Sequence, residues 1–440
     1  MKKRLLAATL SAVMLASVCA GCSSNQNNSS GTSGEKGQSS KKNLVYLSNE
    51  TNEYILDAFD QVLEGFQKEV DADFTIERQQ VADKPSYLQK LKTLVASNEV
   101  PDIFDCDVDP YGKTLLDQGI MKDLTEVSEK YGLKDVYLEG CYNWCCFPDG
   151  TLVGLSNQYT PEMIYYNTEV FEKAGVEVPE TVDDFVEACK TIADKTNVTP
   201  LAVAGKENWH AMRFLTFVTY RLAGNDFLFG LMDGSVHMSD EIGMKACEFV
   251  QEIGPYFQEG FANYDGASTR DYFVSGSAAM YYQGSWDLPY MQDDKLPDNM
   301  KGKVDCFLMP TIDGAINTRE EYWTSGGGMP MCFNAETFNS TTEEFINFYA
   351  NHYGPIVEKN IFSPIKGSGA PGDSELTQKI SGYLSNLKES CIPFDCRLDA
   401  ATYEIMGKEI CELAMGNLSP EQFAKEIDDS LAEYVANTQS

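Results

Sequence analysis

The chemistry available to this chain rests on acids, amides and four tryptophans rather than on histidine. Its three histidines, His210, His237 and His352, are too far apart in sequence to make a local metal pair, so multi-histidine metal chemistry is not expected. There is no Gly-x-Ser-x-Gly elbow, no His-Glu-x-x-His and no histidine beside a nucleophile, so the common hydrolase signatures are missing. A glycosidase needs only two carboxylates at a set separation. With 67 Asp plus Glu, composition leaves that class open. Against 34 Lys plus Arg these acids give a net charge of −33. Nucleic acid is therefore not an expected partner, because no excess of cations exists to displace counterions from phosphate. Cys141, Cys145 and Cys146 cluster, and Cys391 and Cys396 lie close together, but no second well-spaced pair with His completes a zinc site. A 391–396 disulfide is open; most of the 13 cysteines read as small buried apolar residues.

The acids take their meaning from the elements that carry them. Leu44–Leu47 is a short apolar run closed by Ser48-Asn49-Glu50, a buried strand ending in a polar loop. Ile55, Phe59, Val62 and Phe66 recur at helical spacing. Phe74–Glu77 is a second strand, Leu88, Leu91 and Val95 mark a second helix, and Pro101–Phe104 opens a third strand with Asp105 and Asp107 at its end. Strands alternating with helices imply an α/β fold with a largely parallel, doubly wound sheet. Ligand crevices in such sheets lie beyond the carboxyl ends of the strands, which places Asn49, Glu50, Asp105 and Asp107 at a candidate site. Two helix starts are well marked. Thr181 with Asp184 and Ser419 with Gln422 have the form of capping boxes ahead of buried stripes.

The amino-terminus has its own pattern. Lys2, Lys3 and Arg4 precede the apolar run Leu5–Val18, too short for a stable spanning helix. Cys19-Ala20-Gly21-Cys22 then resembles the bacterial lipoprotein signal, with Cys19 where Leu is usual. The resemblance implies that residues 1–21 are removed, that Cys22 is the lipidated residue, and that the charge falls from −33 to −36 as three cations leave. The lipidated Cys and a tether, residues 22–42, rich in Ser, Asn and Gly, would hold a body just outside the bacterial cytoplasmic membrane.

Four stretches carry a wider resemblance. They are Ile164–Val176 (IYYNTEVFEKAGV) with Val178–Phe185 (VPETVDDF), Phe273–Trp286 (FVSGSAAMYYQGSW), Pro101–Phe104 leading to Gly119–Leu124, and Asp149-Gly150 ahead of Gly154-Leu155. Together they resemble the family 1 extracellular solute-binding proteins, the maltose-binding-protein-like receptors of ABC importers. Ser156 departs from the pattern, standing where Pro is common. The resemblance implies a periplasmic-binding-protein-like fold of two lobes, each a doubly wound sheet flanked by helices and joined by crossover hinge strands. Mapped here, lobe I comprises 43–158 and 328–385, and lobe II 159–327 and 386–440. The crossovers fall near Asn157–Pro161 and Ser325–Gly328. Three consecutive glycines there lack the Lys-Ser/Thr of a phosphate loop and suit a chain passing between lobes.

The same resemblance implies a sugar-binding cleft that closes by hinge motion, and a non-enzymatic role without cofactor or metal. A pyranose has apolar faces and a rim of hydroxyls, so it calls for flat aromatic platforms and planar acceptors. Trp286 sits where the family places a stacking residue, and Trp209, with Glu207, lies on a loop that reaches the cleft. Tyr403, Trp323, Tyr159 and Gln158 are further expected liners, and Trp144 reads as core. The implied partners are a carbohydrate, the transmembrane permease subunits and, through the anchor, the membrane; the protein is expected to be a monomer. The alternatives are a surface glycan-binding adhesin, a receptor for a non-sugar solute and a carboxylate-dependent glycosidase.

Overall fold

A computed structural model describes residues 41–438 apart from 83 and 208. The signal, Cys22 and most of the tether lie outside the described residues. Two mixed sheets organise the body. The first runs in the order β2 (Thr75–Gln80), β1 (Asn43–Ser48), β3 (Ile103–Asp105), β10 (Met331–Phe333), β4 (Gly154–Leu155). The second runs β11 (Glu389–Cys391), β9 (Tyr322–Gly326), β5 (Thr160–Asn167), β7 (Ala278–Gly284), β6 (Thr199–Ala202), with β8 (Val304–Phe307) also on β5.

Alternating side chains feed a core on each face of each sheet, as a strand covered on both sides requires. In the first sheet Tyr46, Ile103 and Phe333 point into one cluster, and Leu47, Phe104 and Cys332 into the other. In the second, Ile164, Tyr166, Met280 and Phe307 enter one cluster, and Met163, Tyr165, Tyr281 and Cys306 the opposite one. The helix Glu53–Glu69 buries Ile55, Phe59, Val62 and Phe66, the apolar stripe expected from sequence. Both capping boxes form. Thr181 and Asp184 bond each other's backbone N–H, as do Ser419 and Gln422.

The parallel expectation holds only where strand follows helix. β1 is parallel to β2 and β3, but β10 is antiparallel to both β3 and β4. β10 belongs to chain that has already visited the second sheet and re-enters the first in the opposite direction. β5 is likewise antiparallel to β7, β8 and β9. The expected crossovers lie side by side, with Thr160 opposite Gly326 and Pro161 opposite Ser325. The helix Glu375–Asn386, expected with lobe I, sends Leu376 and Ile380 into the Met163–Tyr165 cluster of the second sheet. Lys379 also pairs with Asp305 of β8. All eleven cysteines of the described region are free thiols, Cys391 and Cys396 among them, and ten are buried.

Candidate functional site

Between the sheets lies a cleft of about 310 Å³, and the crossovers form its floor. From the first sheet it receives the end of β3, with Asp105, and the loops after β1 and β3, carrying Asn49, Glu50, Asn52 and Asp107. From the second it receives Glu207, Trp209, Arg213, Arg270, Trp286, Asp287, Tyr290 and Asp395. The cations in it are engaged by the protein's own acids. Lys84 stands 2.9 Å from Asp107 and 3.7 Å from Asp395, bridging the lobes. Arg213 donates through Nε to Glu162 at 2.9 Å and through Nη1 to Asp395. Arg270 approaches Asp287 at 3.5 Å. Burial alone would lower Lys84 and raise Asp395. The attraction of Lys84 to Asp107 and Asp395, and of Asp395 to Arg213 and Lys84, outweighs it, so both groups stay charged. Burial pushes Asp287 up to about 6 and Asp105 up to about 7. Asp105 nevertheless accepts from Tyr46 Oη, Ser48 Oγ and the Asn49 N–H at 2.6–2.8 Å, so it braces the loop more than it faces a ligand.

Three indole rings line the cleft. Trp286 opens a short 3-10 turn, Ser285–Met291, directly after β7. Its ring folds back over Gly284, where a Cβ would come within 2.0 Å of it, so that close approach requires glycine. Trp209 meets Trp286 edge to face at 5.8 Å, and Arg213 lies 4.7 Å from its ring centre. Trp144, from the first lobe, packs on the glycine crossover: Cβ atoms at Gly326 and Gly327 would come within 2.9 and 3.0 Å of its ring. Its Nε1 donates to the Gly328 carbonyl at 2.8 Å, and Arg397 of the second lobe covers it at 5.2 Å. The glycines are thus needed for close approach, beyond the conformational freedom their sequence suggests. Ser156 has a use that Pro lacks, with its hydroxyl within 2.8 Å of both the Gln158 and Gly327 carbonyls, clasping the crossovers together.

Residues 61–353 match the family model described as bacterial extracellular solute-binding protein. The chain belongs to this family. This solute-binding protein is 27% identical to the multiple sugar-binding protein of Streptococcus mutans over 276 residues, covering 59% of this chain and 60% of that relative. It thus spans about 60% of the length of the curated relatives it matches. Among solved structures it resembles a chitin oligosaccharide binding protein, with TM-score 0.79 and 22% identity, covering 90% of this chain and 99% of the other. It also resembles a sugar transporter protein of Bacillus licheniformis in complex with stachyose, with TM-score 0.67 and 16% identity, covering 89% of this chain and all of the other. These structural likenesses establish the two-lobed α/β fold.

Of the liners expected from sequence, this solute-binding protein brings Asn49, Glu50, Asp105, Asp107, Gln158, Glu207, Trp209 and Trp286 to the cleft. Three are elsewhere. Trp323 is only 2% exposed, because strand alternation on β9 turns it into the core, edge to face with Tyr383 at 6.3 Å. Tyr159 faces a separate hollow behind the crossover, with Phe362 and Leu384. Tyr403 is buried on its helix, its ring 5.8 Å below the Lys84 ammonium. Trp144 moves the other way, from expected core to cleft wall. Sequence reading also missed Lys84, Arg213, Arg270, Tyr290 and Asp395. Arg213 had a signal, as the one charge in the run Ala211–Val218; Lys84, Arg270 and Asp395 look like ordinary surface charges, and Tyr290 like any aromatic residue, until the chain folds.

Proposed function

We propose that this protein is the substrate-binding lipoprotein of an ABC-type carbohydrate importer, capturing an uncharged sugar or oligosaccharide between its lobes and presenting it to a membrane permease. The observation that carries the reading is a cleft with indole rings from both lobes whose cations are compensated by the protein's own carboxylates. Trp144, Trp209 and Trp286 supply platforms for the apolar faces of a pyranose. Lys84, Arg213 and Arg270 are each held by protein carboxylates, so an anionic ligand would have to displace existing ion pairs. Asn157 and Gln158 offer planar polar groups to hydroxyls. The names of the relatives, sugar-binding in several cases, agree with this chemistry. Anchoring through Cys22 completes the assignment: a body this acidic is repelled by anionic headgroups, so the lipid would hold the membrane while the lobes stay in solution.

The protein acts without chemistry on its ligand. His210 lies just behind the cleft, 1% exposed, and burial lowers it to about 3, leaving a neutral imidazole that hydrogen-bonds Gln283 at 3.2 Å. The test is ligand-dependent thermal stabilisation across maltose, xylobiose, raffinose, stachyose and N,N′-diacetylchitobiose, with the sugar recovered afterwards. Stabilisation with intact sugar is expected. Released reducing ends would make the protein a hydrolase, and binding to glycoprotein but to no free sugar would make it an adhesin.

A further inference from the structure

We propose that Asn157 and Gln158 form a hydroxyl-reading floor to the cleft, with Asn157 Oδ1 and Gln158 Oε1 accepting hydrogen bonds from neighbouring hydroxyls of one sugar ring. The inference rests on the carbohydrate reading above and names the part of the cleft that selects among sugars. Both side chains line the cleft and both are 8% exposed. Both carbonyl oxygens are buried without a hydrogen-bond partner, a state native proteins seldom leave without a use. Consecutive residues of a regular strand face opposite ways. Residues 156–159 between β4 and β5 have no regular structure, which lets both amides turn to one side.

Their orientation is set by charge. Asn157 Nδ2 and Gln158 Nε2 each approach Glu50 Oε2 at 3.4 Å. A carboxylate only accepts, so turning either amide over would set oxygen against oxygen. Glu50 is itself fixed, its other oxygen accepting from the Thr51 and Asn52 N–H groups at 2.9 and 2.8 Å. The floor is also rigid from below. Tyr353 Oη donates to the Asn157 carbonyl at 2.7 Å, and Ser156 Oγ lies 2.8 Å from that of Gln158. Room is kept by Gly328, where a Cβ would come within 2.8 Å of Gln158 Nε2 and 3.2 Å of Asn157 Oδ1. Two fixed acceptors on one backbone corner suit the paired hydroxyls of a pyranose, and a site built to hydrogen-bond hydroxyls discriminates strongly against ligands lacking them.

The experiment measures affinity of the purified full-length protein, by calorimetry, for whichever of the five sugars named above binds, alongside the sugar-free melting midpoint. Asn157→Leu and Gln158→Met keep side-chain volume and remove the acceptors. Each is expected to weaken binding by about tenfold or more while the sugar-free midpoint stays within about two degrees of wild type. Glu50→Gln, which acts through the amides as a positioning residue, is expected to weaken binding with the same unchanged midpoint. Wild-type affinity in both amide variants, with Trp286→Ala impaired, overturns the floor and leaves the carbohydrate reading standing. Affinity and midpoint falling together would make the amides packing groups and also overturns it. Failure of all five sugars to bind the wild type removes the carbohydrate reading and the floor with it.

Discussion

At the scale of single residues, Trp286 and Gly284 form a test pair. Trp286 is half-buried, its ring laid over Gly284 and edge-on to Trp209. Truncating it to Ala is expected to weaken sugar binding by about 1–3 kcal/mol, the usual range for a lost aromatic platform. A calorimetric affinity equal to wild type would remove Trp286 from the site. Gly284→Ala asks the same question from the backbone side. With φ −91° and ψ 175° the backbone accepts any L-residue, so the new methyl acts only through the ring, which would lie 2.0 Å from it and must move. We expect Gly284→Ala to lose affinity as Trp286→Ala does while keeping its melting midpoint. A loss of stability without a loss of affinity would contradict the role given to that contact.

At the scale of elements, the sequence is most readable where local chemistry decides alone. The Thr181–Asp184 box is closed within four residues and forms as expected, so Thr181→Ala should cost about 1 kcal/mol of unfolding free energy. A denaturant midpoint unchanged in that variant would mean that packing of Phe185 and Ile192 alone fixes the helix. Strands β1 and β3 were legible as apolar runs each followed by a helix, and β2, mostly polar and exposed, by its place between two helical stretches. The crossover region was not. β4 is two residues long and β10 three, too short for a period to show, and their direction depends on chain that lies far away in sequence. Trp144 and Trp323 exchange their expected places for the same reason. One is set by the approach of a glycine strand 180 residues on, the other by which face of β9 meets the second core. The turn carrying Trp286 was legible because Gly-Ser-Trp is a local steric unit; the Lys84–Asp395–Arg213 chain was not, because its members meet only in the fold.

At the scale of the whole molecule, charge bears on both stability and the joining of the lobes. Burial pushes Asp105 and Asp109 from 3.8 up to about 7, and Asp287 up to about 6. A carboxyl whose folded pKa exceeds its unfolded value binds its proton more tightly when folded. Its contribution is therefore full at low pH and lost as pH rises through about 6–7. Self-repulsion at a net charge of −33 acts in the same direction. The ligand-free midpoint should therefore climb between about pH 8 and pH 5.5. It should fall again below about pH 4, where Asp395, held below its ordinary value despite burial, loses its charge. A midpoint higher at pH 8 than at pH 5.5 would show that these acids are not buried as described. One cation in particular joins the lobes, and the hinge closure implied by the family resemblance would depend on it. Lys84 is shared by Asp107 of one lobe and Asp395 of the other, beside the bond from Asn52 Nδ2 to the Trp286 carbonyl at 3.0 Å and the Arg397–Trp144 contact. In Lys84→Met the two carboxylates would face each other without the ammonium that joins them, and the open arrangement would gain population. Small-angle scattering of the sugar-free variant should then give a larger radius of gyration than wild type. Saturating sugar should shrink both proteins to the same value, with weaker affinity in the variant because ligand binding must also drive the closure. Identical scattering of the two sugar-free proteins would show that Lys84 fills the cleft without holding the lobes together.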